Sequence, residues 1–288
     1  MGVSLVTATK VGADGTESGT LLLDHGMQHL DLILVCALAV PFTWLTVRMR
    51  ILTLGGALLA GVIALCVVAT QGWLMLLPLF LFLLSGVLLG RLNKLARTDA
   101  KHGRPRDAMQ VFCSGGIYAI LAVYNDFHVH WWMSISICTA MCDTWASEIG
   151  MYFRWPTESI VTWRRVEPGF SGGISLPGTL GGLVGSMLLA SVTHVLSLYP
   201  ADHQGWLITI VSFAGIFLSS LFTTAFAMGG MLLDSVLGAL LQVKYDDGEG
   251  PRDAGVRRIS GLPWMTNDVV NLVSNALTVA LAWWVLAL

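Results

Sequence analysis

Asp143 and Glu148 stand inside a run that is otherwise apolar from Trp131 to Gly150 and long enough to cross a bilayer. A carboxylate near the middle of a membrane helix costs about 2.5 to 3.5 kcal/mol on insertion scales, so such groups are paired, water-lined or functional. Asp234 and Asp268 repeat the pattern in later apolar runs. Acids of this kind can hold a divalent cation, relay protons or pair with arginine. Asp143 and Ser147 are four apart and share a helical face, whereas Asp143 and Glu148 are five apart, about 140° around an ideal helix. The two carboxylates therefore meet at one ion only if the helix unwinds near Gly150. Otherwise they take neighbouring roles, one on a metal and one orienting a basic partner.

The elements that must position these acids follow from composition. Hydrophobic residues make up 55% of the 288-residue chain, charged residues 12%, and the mean hydropathy is +0.71. These values exclude a soluble globular domain. No run alternates apolar and polar residues as a barrel strand would, so the backbone must satisfy itself in helices. At roughly 20 residues per span, the expected fold is an all-α polytopic membrane protein with about eight transmembrane helices plus a short re-entrant or ninth helix. Spans are expected near 30–47, 52–70, 72–90, 107–124, 130–150, 176–199, 206–227 and 266–287. The short element is Met228 to Val243, with Asp234 in its middle.

Charge orients the spans. Lysines and arginines gather in four connections, around Arg48 and Arg50, from Arg91 to Arg106, at Arg154, Arg164 and Arg165, and from Lys244 to Arg258. The positive-inside rule puts these loops on the cytoplasmic face. All four share that face only if Met228 to Val243 does not cross, which leaves both termini on the far side. Residues 1–29 read as a polar segment without a cleaved signal, and 30–288 as a single helical membrane domain. The five cysteines fall in apolar segments at no metal-ligand spacing and read as small packing residues.

Five stretches concentrate polar chemistry. In the first, Asp107, Gln110 and Ser114 share a face where a basic loop enters a span. The loop charges suit simple anchoring first, and are also what an anionic headgroup or nucleotide would want. The second is Asp143 to Gly150. The third, Pro168 to Thr179, is a Gly/Ser-rich loop opening into a helix. It is either a phosphate cradle built on freed amides and a helix N-terminus or a turn followed by close helix packing. It matches neither the P-loop nor the dinucleotide fingerprint. The fourth repeats Gly230, Asp234, Gly238 and Gln242 every four residues, a small polar face that meets protein rather than lipid. The fifth aligns Asp268, Asn271 and Asn275 at the start of the last span.

The series Arg-Asp-Ala-Met-Gln-Val, Asp-Thr-Trp-Ala-Ser-Glu-Ile-Gly, Pro-Gly-Phe-Ser-Gly-Gly-Ile-Ser, Leu-Leu-Asp-Ser-Val-Leu-Gly-Ala-Leu-Leu-Gln and Asn-Asp-Val-Val-Asn-Leu-Val-Ser, in this order, resembles the transmembrane protein 19 family of integral membrane proteins. That family includes the plant phytyl-phosphate kinase, which converts an isoprenoid monophosphate to the diphosphate. Asp143, Glu148, Ser171, Gly172, Gly173, Ser175, Asp234 and Asn271 match the family pattern. Cys113-Ser114, Phe170 and Asp268 depart from it.

The resemblance implies a membrane-embedded kinase acting on a phytyl- or prenyl-type monophosphate, with Mg²⁺ and with CTP or another nucleoside triphosphate as donor. On this reading Asp143, Asp234 and Glu148 are catalytic and hold the metal, Glu148 as a further ligand or as an orienting partner. Ser171, Gly172, Gly173 and Ser175 hold nucleotide phosphates. Lys94, Arg97 and Arg106 receive the acceptor's phosphate, and Asp107, Gln110, Asp268 and Asn271 give polar support. The expected partners are the lipid bilayer, an isoprenoid phosphate and a nucleotide, not nucleic acid, and the expected setting is an endomembrane such as the endoplasmic reticulum. A cation- or proton-coupled transporter would use the same acids differently, spread along a route from one face to the other. A non-enzymatic membrane protein would pair them with arginines.

Overall fold

Apolar runs broken by basic connections become a bundle of α-helices in the computed structural model. It describes residues 17–96, 105–124, 126, 128–197, 205–246, 251–252 and 257–286, with side chains from residue 33 onward apart from 94–96, 205–212, 246, 251–252 and 257. The helices among the described residues are α1 (Glu17–Arg48), α2 (Leu54–Gln71), α3 (Leu76–Ala96), α4 (Ala108–Tyr124), α5 (Val129–Phe153), α6 (Leu176–Ser197), α7 (Gly205–Leu240) and α8 (Asn267–Leu286). Five stretches, within α2, α3, α6, α7 and α8, are long and apolar enough to cross a membrane. Large apolar side chains such as Leu58, Phe80, Ile120, Phe217 and Leu281 are exposed on the outside of the bundle, where lipid is the solvent.

The helix that fails the apolarity test is α5, and its position explains why. It packs against α3, α4, α6, α7 and α8, and Trp132 through Thr139 are buried without interruption. A helix surrounded by protein can carry polar groups that lipid would reject. Hydroxyls and amides tie it to its neighbours. Ser134 hydrogen-bonds to Thr193 of α6, the Trp145 indole donates to Ser85 Oγ of α3 at 3.1 Å, and Asn275 Nδ2 of α8 donates to the Ser136 carbonyl at 3.2 Å. Ile63, Val67, Tyr118, Met133, Ile137 and Leu189 pack into the main apolar core around it.

Alternate helices begin with the same device. Thr53, Asp107, Ser175 and Thr266 each accept from an amide three residues on, starting α2, α4, α6 and α8. Asp107 and Gln110 form a reciprocal capping box, Gln110 N–H to Asp107 Oδ1 at 2.9 Å and Asp107 N–H to Gln110 Oε1 at 3.2 Å. The backbone at Ile51 and Thr53 hydrogen-bonds to Arg106, strapping the start of α2 to the start of α4.

Two expectations need correction. Met228 to Val243 is neither a ninth helix nor re-entrant: as far as Leu240 it continues α7 without a break. Its polar face is buried against α5, α8 and the loop before α6, so no turn is needed to hide it. Helix α1 starts at Glu17 rather than near residue 30, taking in part of the polar segment; residues 1–16 lie outside the described part. The basic loops also hold two small antiparallel sheets that no periodicity announced. One is ordered β2-β1-β3, from Thr157–Ser159 (β1), Arg165–Val166 (β2) and Gly173–Ile174 (β3); the other is ordered β5-β4-β6, from Lys244–Asp246 (β4), Pro251–Arg252 (β5) and Arg257–Ser260 (β6).

Candidate functional site

A cavity of about 580 Å³ opens at one end of the bundle. The late turns of α3, α5 and α7 and the first turns of α4, α6 and α8 line it, with the α1–α2 loop and the loop before α6 at its rim. Helices α5 and α7 bring carboxylates to it. Helices α4, α6 and α8 bring their N-terminal ends, whose partial positive charge favours anions.

Asp143 and Asp234 lie at the floor and also line a smaller recess of about 20 Å³ with Ser114, Asn271, Ser274 and Asn275. They are close enough to interact electrostatically. Asp234 Oδ2 accepts from Ser274 Oγ at 2.9 Å, and from the Asn271 amide at 3.0 Å when that amide is turned to face its acceptors. Asp143 has no hydrogen-bond donor among the described residues. Asn275 Oδ1 is buried without a partner on the recess wall. Two facing carboxylates and an orphaned amide oxygen make an oxygen-rich pocket suited to a hard cation.

Glu148 is turned elsewhere. Its carboxylate and its backbone carbonyl both accept from Asn93 Nδ2 of α3, the carbonyl at 2.7 Å. No three His, Cys, Asp or Glu side chains converge as a metal-ligand group among the described residues. Asp143, Asp234 and Glu148 are thus not one cluster, as the five-residue offset on α5 requires. Glu148 faces Arg106 instead: burial pulls the Arg106 guanidinium below its ordinary range while the Glu148 charge opposes that shift. The guanidinium lies 5.5 Å from the centre of the Phe82 ring, and at Gly86 a Cβ would come within 2.7 Å of its Nη2.

The Gly/Ser-rich loop is anchored on both sides. Its β3 pairs with β1, and Gly172, at φ +82°, lies so close to Ser235 and Ala239 of α7 that any side chain would collide. Ser171 Oγ donates to Gln242 Oε1 at 2.6 Å, Gly173 N–H to the Phe170 carbonyl at 2.9 Å, and Ser175 Oγ accepts from Gly178 N–H at 3.3 Å. Lys244 sits 4.8 Å from the centre of the Phe170 ring and donates to the Ala239 carbonyl at the end of α7. Both hydroxyls and one amide therefore serve the loop's own architecture. Ser171 and the Gly173 amide are spent as donors to Gln242 and Phe170, whereas Ser175 Oγ serves as an acceptor, which leaves its O–H to donate.

Asp143, Glu148, Asp234, Ser171, Gly172, Gly173, Ser175, Arg106, Gln110, Asp268 and Asn271 all line the one cavity. Asp107 caps α4 beside it. The Lys94 side chain and all of Arg97 lie outside the described residues. Arg50, Arg91 and Asn93 are functional candidates that sequence reasoning passed over. The two arginines looked like anchors of a basic loop, and Asn93 is a single amide at the end of a greasy helix; only their placement marks them.

Residues 37–279 match the family model described as "Integral membrane protein DUF92". Among curated proteins, the chain is 29% identical to an uncharacterized membrane protein of Synechocystis, covering 79% of each. It is 26% identical to Protein PGR of Arabidopsis thaliana, covering 80% of this chain and 88% of that one. It is 27% identical to Protein VTE6, chloroplastic, also of Arabidopsis thaliana, over 62% of this chain and 47% of that one. No solved structure matches the chain.

Proposed function

The chain belongs to the DUF92 family of integral membrane proteins, and from that premise we propose that it is a kinase acting on an isoprenoid monophosphate at the membrane boundary. One observation carries the reading: a single polar cavity sets two facing carboxylates beside arginines and three helix N-termini. The resemblance to a family that includes the plant phytyl-phosphate kinase supports it, and Protein VTE6 is a plant relative over part of the chain. A transporter reading would want acids spread from face to face. Here Asp143, Glu148, Asp234 and Asp268 all line one cavity at one end of the bundle.

In the proposed reaction an oxygen of the acceptor monophosphate attacks the γ-phosphorus of a nucleoside triphosphate. The bond to the β–γ bridging oxygen breaks, its electron pair leaving with the nucleoside diphosphate. Phosphoryl transfer needs in-line placement and charge neutralisation more than covalent help from protein. An anionic acceptor already carries its nucleophilic oxygen, so no strong general base is required. Asp143 and Asp234 would hold Mg²⁺, which takes one or two carboxylates along with phosphate oxygens and water. Bound there, the ion would neutralise charge on the transferring phosphates. Ser274 and Asn271 fix the Asp234 carboxylate, Asn93 fixes Glu148, and the Glu148 charge favours the charged form of the Arg106 guanidinium at the cavity wall, where it would meet a phosphate.

Purified protein, given Mg²⁺, radiolabelled CTP or ATP and a panel of phytyl, farnesyl and geranylgeranyl monophosphates, should form a labelled diphosphate with at least one pair. Asp143→Ala should abolish it. Failure of every pair, or undiminished product from the variant, sinks the reading or its metal site respectively.

A further inference from the structure

Beyond the acids and the glycine loop, two arginines on different elements reach the same wall of the cavity. Arg50 ends the turn after α1 and Arg91 lies in the last turns of α3; both line the cavity with Arg106. Arg91 Nη2 lies 3.5 Å from the Met49 carbonyl, which brings the end of α3 against the residue preceding Arg50. The strap between residues 51–53 and Arg106 holds the third guanidinium's segment alongside.

Arg50 occupies a backbone position that favours another residue. Its φ is +55°, the left-handed conformation in which helices usually end on glycine. That conformation closes α1: Arg50 N–H donates to the Val47 carbonyl at 3.0 Å and Ile51 N–H to the Thr46 carbonyl at 2.9 Å, much as Arg154 ends α5 at φ +49°. Val87, four residues before Arg91 and on the same face of α3, lines the cavity with Met49 and Ile51. This wall is therefore cationic at its rim and apolar next to it.

We propose that Arg50 and Arg91 form the seat for the phosphate monoester of a lipid substrate, its apolar chain starting across Met49, Ile51 and Val87. The ligand class is a dianionic phosphate on a long hydrocarbon. The assignment rests on the kinase reading for its role as the acceptor site, but the seat can be measured without turnover. It separates the acceptor's phosphate from the recess at Asp143 and Asp234, which the proposed function reserves for the metal. Guanidinium is suited to the task because its fork meets two phosphate oxygens at once.

The test uses the full chain in phosphatidylcholine nanodiscs, without nucleotide. Binding of farnesyl and phytyl monophosphates is compared with that of the corresponding alcohols, with inorganic phosphate as competitor. The wild type should bind a monophosphate about tenfold or more tightly than its alcohol, and Arg50→Gln with Arg91→Gln should remove that preference. Alcohol binding and thermal unfolding should not change, Arg50→Lys should retain part of the affinity, and Arg165→Gln on β2 should match the wild type. Equal affinity of the double variant and wild type for the monophosphates overturns the proposal, as does absence of any preference in the wild type. Displacement by inorganic phosphate at the same concentration as by the lipid overturns the lipid assignment. Loss of the preference in a protein that makes no diphosphate would uphold the seat while the kinase reading fails. Turnover with an unchanged acceptor KM in the double variant would uphold the kinase and reject the seat.

Discussion

Replacing Gly182 with alanine tests whether the seam between α5 and α6 fixes the geometry of the site. A Cβ at Gly182 would meet the Cys142 carbonyl oxygen at 2.8 Å, Cys142 Sγ at 3.0 Å and Ala146 Cβ at 3.2 Å. Ordinary contact begins near 3.4 Å, so α6 must back away by about 0.6 Å from a neighbour that is helix backbone and cannot swing aside. Alanine favours the helix itself by about 1 kcal/mol, while overpacking a dense interface costs about 1 to 3 kcal/mol. The upper end applies, because the clash is with main chain and neighbouring Gly178 and Gly185 approach α5 as closely. The net expectation is a loss of about 2 kcal/mol. Gly61→Ala is the paired control, since nothing lies within 4 Å of its added Cβ, and it should be neutral or stabilised by up to about 1 kcal/mol. Equilibrium unfolding in mixed micelles with increasing SDS measures both. If Gly182→Ala proves as stable as Gly61→Ala, the close approach of α5 and α6 is not real, and the placement of Asp143 and Ser175 derived from it falls with it.

Gly86→Ala should leave thermal stability intact but push the Arg106 guanidinium aside, since the added Cβ would lie 2.7 Å from its Nη2. A displacement of that order lowers kcat/KM about tenfold or more, and normal turnover would show that Arg106 does not touch substrate. Asn93→Leu removes the donor that holds the Glu148 carboxylate. Glu148 is half-buried and lines the cavity, so the loss is that of one hydrogen bond to a charged group, at most about 1.5 to 3 kcal/mol, and an unchanged unfolding midpoint would contradict that hydrogen bond. Asp143→Asn should reduce phosphoryl transfer at least about a hundredfold while matching or exceeding wild-type stability, because it removes a charge without a protein partner beside Asp234. Loss of folding in that variant would instead assign Asp143 a structural role.

Much of the bundle was legible because lipid imposes a simple rule on each span. The four basic connections and the five polar stretches could be read from residue type alone, and the stretches open onto one cavity. The end of α7 could not. A span of about 20 residues was assumed, which set Met228 to Val243 apart as a short element with Asp234 in its middle. In the structure Gly230 is a contact point, where a Cβ would meet Thr139 and Thr278 at 2.6 Å. No proline interrupts the helix there, so the run continues. The strands escaped because elements of two to four residues are too short to show alternation. Arg50 and Arg91 were hidden by their company, since a loop rich in arginine gives no hint of which guanidinium turns inward.

The length of α7 has a consequence for where this protein can operate. Its apolar stretch Phe213–Leu240 has 28 residues, about 42 Å of helix against a hydrocarbon layer of about 30 Å. Such a rod must lean, or emerge, or thicken the lipid around it. Asp234 sits near one end of this rod and Asp143 on a shorter helix packed against it, so whatever lean seats the rod in lipid is shared by its neighbours and carries both acids together.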